Sequence, residues 1–425
     1  MNETIRQRSV RSDLQGTGRR IPAFCLGVLL AVSLALCPVL CCVVPAVAQG
    51  PGDKPLDTVN DVPRLGRKAL FQAQKYRDEG NWAESARILQ ETIEKYPSHD
   101  HYLLRFQLAV SLDQAGRQEE ALVQYQAAVR LEPRFAQGWL NLGELAYNLG
   151  HYQIAGEAFF QGFQLQQADP PNVDLLYYAA ACQVMAEDHG RAADILEDLV
   201  SGRQGSPKLE WYRALIAACI DLADKARGQS AVENMLQHFS SDPEAWYLAF
   251  QFSASQDDYR QAAIALTITG YLRPLSHSES LTLGDLYTAL GVPAAASRHY
   301  EQALGEEAGA EEYERLASAY LAAFKSADAL RTLERALQKQ PTVRLWSLLG
   351  DQHYIDENYA DSYAAYQKCA ELDPDYGRAY LMMGYCALEM AKISEAVGLL
   401  EAAARYPDLT ETANALLARA RRLGG

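Results

Sequence analysis

The chain has 425 residues, 49% of them apolar and 22% charged, which is enough apolar material to bury a large core and the wrong balance for a disordered tail. Alanine and leucine dominate and runs of β-branched residues are scarce, so the composition favours helix. The net charge is −15, which argues against nucleic acid and anionic lipid as ligands of the bulk of the chain.

The N-terminus differs from the rest. Arg6, Arg8, Arg11, Arg19 and Arg20 against Glu3 and Asp13 give residues 1–48 a charge of +3, which leaves −18 for the remainder of the −15 chain. The arginines precede an uncharged, largely apolar run, Ile21 to Ala48, that ends in Pro-Ala-Val-Ala before Gln49. That order describes a secretory signal peptide cleaved after Ala48. The length of the run also suits an uncleaved membrane anchor. Either way the arginines stay inside and the remainder is exported, to the periplasm or cell envelope, with membrane contact confined to residues 21–48. Residues 49–65, with three prolines and two glycines, read as a flexible linker.

From 66 to 408 the chain repeats itself, with starts near 66, 102, 136, 173, 212, 243, 277, 310, 343 and 377. In the clearest copy Trp346 is followed by Leu349-Gly350, Tyr359, Ser362, Tyr366, Cys369 and Pro374. The copy at 310 has Tyr313, Leu316, Ala317, Tyr320, Ala329, Leu333, Ala336 and Pro341, and the copy at 136 has Trp139, Leu142, Gly143, Gly150, Tyr152, Ala155 and Phe159. Small residues at fixed places let two antiparallel helices cross closely, and large ones fill the gaps against the next pair. The copy near 212 lacks most of these residues and follows a Gly/Ser-rich stretch, which predicts a longer loop and altered stacking. Residues 409–425 read as a C-terminal capping helix, with arginines at its end.

These residues resemble the tetratricopeptide repeat family, whose pattern is W-x2-L-G-x2-Y, then Ala, then Ala-x3-Phe, then Pro. The resemblance implies an all-α fold, a right-handed superhelical solenoid of stacked helix-turn-helix repeats. It also implies a concave groove drawn from the second, fifth, ninth and twelfth positions of each repeat. Carried over, those positions give a partner-binding groove of Glu144, Tyr147, Tyr177, Tyr247, Asp285, Glu314, Asp351, Tyr354 and Tyr385. The family's carboxylate clamp needs Lys and Asn at the fifth and ninth positions, and neither occurs there. An apolar, aromatic groove with acids suits protein or peptide segments that have apolar anchors and basic residues.

Nothing argues for an enzyme. The phosphate-binding G-x4-G-K-[ST], the nucleophile G-x-S-x-G and the zinc H-E-x-x-H patterns do not occur, and no cofactor is implied. His99-Asp100-His101 is the one histidine cluster, and two imidazoles in a turn do not make a metal site. His353 stands where the repeat places Tyr and reads as a packing residue. Cys182, Cys219, Cys369 and Cys386 form no C-x-x-C pair and read as buried thiols. Cys369 and Cys386, on adjoining helices, are the pair that could form a disulfide. The expected function is therefore a non-enzymatic scaffold outside the cytoplasm, or an anchored envelope assembly or secretion factor if residues 21–48 are retained.

Overall fold

The computed structural model describes residues 56 and 58–424, apart from 167–170, 204 and 306. The proposed signal or anchor lies outside the described residues, as do residues 49–55 and 57 of the linker. Among the described residues there are 21 α-helices, two short 3-10 turns and no strand. The chain divides into two compact units, at Phe239 and Ser240.

The first unit holds five hairpins. They are α1 (Arg64–Asp78) with α2 (Trp82–Lys95), α3 (Tyr102–Gln114) with α4 (Gln118–Leu131), α5 (Ala136–Asn148) with α6 (Tyr152–Leu165), α7 (Asp174–Met185) with α8 (His189–Val200), and α9 (Leu209–Asp221) with α10 (Lys225–Phe239). The second unit holds five more and a final helix. They are α11 (Pro243–Ser255) with α12 (Tyr259–Leu272), α13 (His277–Ala289) with α14 (Pro293–Ala303), α15 (Ala310–Ala322) with α16 (Ser326–Lys339), α17 (Val343–Ile355) with α18 (Tyr359–Leu372), α19 (Gly377–Glu389) with α20 (Ile393–Ala403), and α21 (Thr410–Gly424). Within each unit every helix packs on the next, which makes each an all-α repeat solenoid.

The hairpin turn is the same device ten times over. Each has one residue in the left-handed region: Gly80, Gly116, Gly150, Glu187, Ala223, Asp257, Gly291, Phe324, Glu357 and Ala391. The next backbone N–H then donates back into the first helix, as from Asn81 to the Tyr76 carbonyl at 2.7 Å and from Asn358 to that of His353 at 2.8 Å. This closes the helix end and reverses the chain. Close crossing of the two helices follows from small residues: a Cβ on Gly350 would lie 2.8 Å from the Tyr366 ring, and the Ser362 hydroxyl donates to the Gly350 carbonyl at 2.8 Å.

Two boundaries depart from the sequence reading. Helix α1 begins at Arg64, directly after Pro63, and so takes in the last two residues of the stretch read as linker. The fifth hairpin begins at Leu209, not near 212, because Trp211 and Tyr212 both enter the core there. Its fifth position is therefore the exposed Arg213; Ile216, the fifth residue counted from 212, is buried. At the C-terminus a 3-10 turn over Pro407–Leu409 leads into α21, whose Ala413, Leu417 and Ala420 pack on a cluster containing Leu400 and Ala403.

Candidate functional site

Of the residues expected to line the groove, Tyr247, Asp285, Glu314, Asp351, Tyr354 and Tyr385 lie on the first helices of the second unit, α11, α13, α15, α17 and α19. Glu144, Tyr147 and Tyr177 lie on α5 and α7 of the first unit. In the second unit the helical phase fixed by the buried Leu283, Leu316, Leu349 and Met383 leaves Tyr247, Asp285, Glu314, Asp351, Tyr354 and Tyr385 part-exposed.

The acids are not solitary. Asp285 accepts from the Tyr300 hydroxyl at 2.7 Å and from Arg315 at 3.0 Å. Asp351 accepts from the Tyr366 hydroxyl, and Arg378 reaches both its oxygens at 2.9 Å. Glu314 accepts from Arg344 at 3.0 Å, and Glu389 from Arg419 at 3.0 Å. In each case the acid sits on one first helix and the arginine 27 or 30 residues later, on the next first helix or, for Arg419, on α21. The buried Tyr300 and Tyr366 hydroxyls are held far above their ordinary pKa, first by burial and then by the adjoining carboxylate, so they stay protonated and donate.

This changes the charge expected of the face. In the second unit Asp285, Glu314 and Asp351 are matched by arginines within the fold, and a partner's basic residues would have to compete with them. The sequence reading missed these arginines. The available signal was an acid and an arginine about one repeat apart, four times, with a tyrosine 15 residues after Asp285 and Asp351.

The aromatic positions cluster in places. The Tyr354 ring meets Tyr385 edge-on at 5.2 Å and Tyr359 at 5.7 Å. Burial, then the hydrogen bond to Tyr385, raises the Tyr354 hydroxyl's pKa. Tyr147 meets Tyr152 at 5.9 Å in the same edge-on way in the first unit, and Glu144 is exposed. Tyr177 is half-buried, and the Arg273 guanidinium lies 5.6 Å from the centre of the Tyr247 ring. Between α13 and α15 a recess of about 440 Å³ is bounded by Leu281, Glu311, Glu312, Arg315 and Gln340.

His101 caps α3 by accepting from the Leu103 N–H at 3.2 Å. The four described cysteines are buried and unbridged, with thiols pushed up to about 11 or 12, chiefly by burial. Cys369 donates to the Val343 carbonyl at 3.4 Å and Cys386 to the Ser362 hydroxyl at 3.3 Å, so the two thiols have different neighbours.

Comparison with known proteins gives one family. Its "TPR repeat" profile matches residues 113–150, and its "Tetratricopeptide repeat" profile matches 72–125 and 314–377. Small glutamine-rich tetratricopeptide repeat-containing protein 2 of Mycosarcoma maydis is 29% identical over 110 residues, 24% of this chain and 30% of that protein. Protein FlbA of Caulobacter vibrioides is 24% identical over 226 residues, 52% of this chain and 38% of that protein. The chain thus spans only about a third of the length of these relatives. The crystal structure of MamA aligns at 21% identity over 38% of this chain and 96% of that one, with a TM-score of 0.35.

Proposed function

This chain belongs to the tetratricopeptide repeat family, and we propose that it is a non-enzymatic protein-binding scaffold that works outside the cytoplasm and takes partner segments on its first-helix face. The observation that carries the reading is the Tyr354–Tyr385 pair, part-exposed on first helices of the second unit where Asp285, Glu314 and Asp351 are already matched by arginines. Such a face offers area and ring edges more than net charge. It suits an extended or helical segment whose apolar anchors bury against the tyrosines, with basic residues contributing less than composition suggests.

Export rests on the order of residues 1–48, and the periplasm or cell envelope is the compartment it implies. The uncharged run of 21–48 also supports a second reading, an anchored envelope assembly or secretion factor. Mass measurement of the mature N-terminus separates the two, since a chain beginning at Gln49 contradicts the anchor.

The binding claim is tested with a partner captured by crosslinking in the envelope fraction. Changing Tyr354 and Tyr385 together to Ala is expected to speed dissociation about tenfold or more, as loss of buried anchors does. Unchanged dissociation would contradict the face assigned here.

A further inference from the structure

Helix α1 is an outlier in charge. It carries Arg64, Arg67, Lys68, Lys75 and Arg77 against a single acid, Asp78, in a chain of net charge −15. Gly66, Ala69, Leu70 and Ala73 bury one side of it. At 3.6 residues per turn the opposite side gathers Arg64, Arg67, Lys68, Phe71 and Lys75 into an arc of about 100°, with Phe71 near its centre. All five are exposed, Phe71 to 77%. Among the described residues, none of Arg64, Arg67, Lys68 and Lys75 pairs with a carboxylate; Arg67 donates to the Asn60 carbonyl at 3.3 Å. This contrasts with the first-helix arginines of the second unit, each of which meets an acid.

We infer that this outward face of α1 docks on an anionic phospholipid surface, with the basic side chains at the headgroups and Phe71 entering between them. Charge complementarity is the first argument: clustered cations around an exposed aromatic ring are what an interfacial helix needs. Place in the chain is the second. The uncharged run ends at Ala48, and the intervening residues 49–63 can span at most about 50 Å when fully extended. Wherever that run is held in a bilayer, α1 is held near the same surface. Its contact then becomes nearly intramolecular, and a weak face is enough. The acidic bulk of the chain does not forbid this, because charges more than about 8 Å apart in solution are largely screened at physiological salt. The membrane contact expected only of residues 21–48 is thereby extended to a folded helix.

The test uses the full chain carrying Phe71→Trp, reconstituted in phosphatidylcholine vesicles with or without phosphatidylglycerol and with brominated acyl chains as the quencher. The apolar run is common to both vesicles, and the wild-type chain measured in parallel supplies the signal of its five native tryptophans, so the difference left after subtraction reports on residue 71 and hence on α1. The expected result is quenching about twofold or more stronger, with a blue-shifted emission, in the anionic vesicles, falling at high salt. Reversing Arg64, Arg67, Lys68 and Lys75 to Glu in the same chain should abolish the difference. These side chains lie outside the core, and an unchanged circular-dichroism melt verifies the fold. Equal quenching in both vesicles, or quenching indifferent to the reversal, overturns the proposal. So does an equal blue shift with polyglutamate in place of vesicles, which would make the face a reader of acidic protein.

Discussion

Asp351 on α17 receives Arg378 from α19 on both carboxylate oxygens, at 2.9 Å each. The Tyr366 hydroxyl closes the same carboxylate from α18. One side chain thus ties together the two helices of its own hairpin and the first helix of the next. Asp285 repeats the arrangement with Tyr300 and Arg315. With side chains 26% and 23% exposed, the Asp351–Arg378 pair is sheltered enough to outweigh an ordinary surface ion pair. A double-mutant cycle of Asp351→Asn and Arg378→Ala, read by denaturant unfolding, should give a coupling of about 1 to 2 kcal/mol. A coupling below about 0.3 kcal/mol would mean the pair is incidental.

Gln183 is a cost in the first unit. It is 1% exposed, and neither its amide nitrogen nor its carbonyl oxygen has a partner. It is pressed against α6, where a Cβ on Gly156 would lie 2.7 Å from its nitrogen. Gln183→Met keeps the shape and removes the unsatisfied amide, so it should stabilise by about 1 to 3 kcal/mol. Repeat arrays can unfold in parts, so the gain belongs to the transition of the first unit. A lower midpoint would show that the amide has a partner.

Phe324 holds a left-handed turn position at φ 58° while 94% exposed. Gly80, Gly116, Gly150 and Gly291 fill the same position in other hairpins without strain. Phe324→Gly removes the Cβ clash and loses no packing, and after the entropy of glycine should stabilise by about 0.5 to 1 kcal/mol. Thermal or denaturant melts check this, and a destabilised variant would reveal a contact made by the ring.

Glu279 gives the fold an acid dependence. Arg273 donates to both its oxygens at 2.6 and 2.8 Å, and the Ser276 backbone N–H donates at 2.8 Å. Arg273 first, with the Ser276 bonds opposing desolvation, brings the carboxyl down to about 2 from its ordinary 4.5. A lowered folded pKa means stability that is present above 4.5 and lost as pH falls towards 2. Wild type should therefore exceed Glu279→Gln at neutral pH, with the gap closing through that window. A gap constant with pH would contradict the assignment.

The sequence made the hairpins legible because their marks are local. Trp346, Gly350, Ser362 and Tyr366 lie within one repeat, and each has a packing reason visible in its type. The start of α9 was missed because this copy lacks most of the signature residues that fix the phase elsewhere, and the three residues between 209 and 212 are almost a turn. The acids at the expected groove positions could be listed from the repeat, but their pairing with arginines could not. A within-repeat pattern does not say what Arg315, Arg344 or Arg378 meets one repeat back. The left-handed turns at Phe324 and Glu357 were hidden as well, since neither residue favours that conformation.

The central claim is that the first-helix face binds the partner. It is tested most directly by a photo-crosslinking residue placed in turn at Tyr354, on that face, and at the exposed Gln367 on α18. The expected result is a partner adduct from position 354 and none from 367. An adduct from 367 with none from 354 would move the working surface to the second helices and contradict the account.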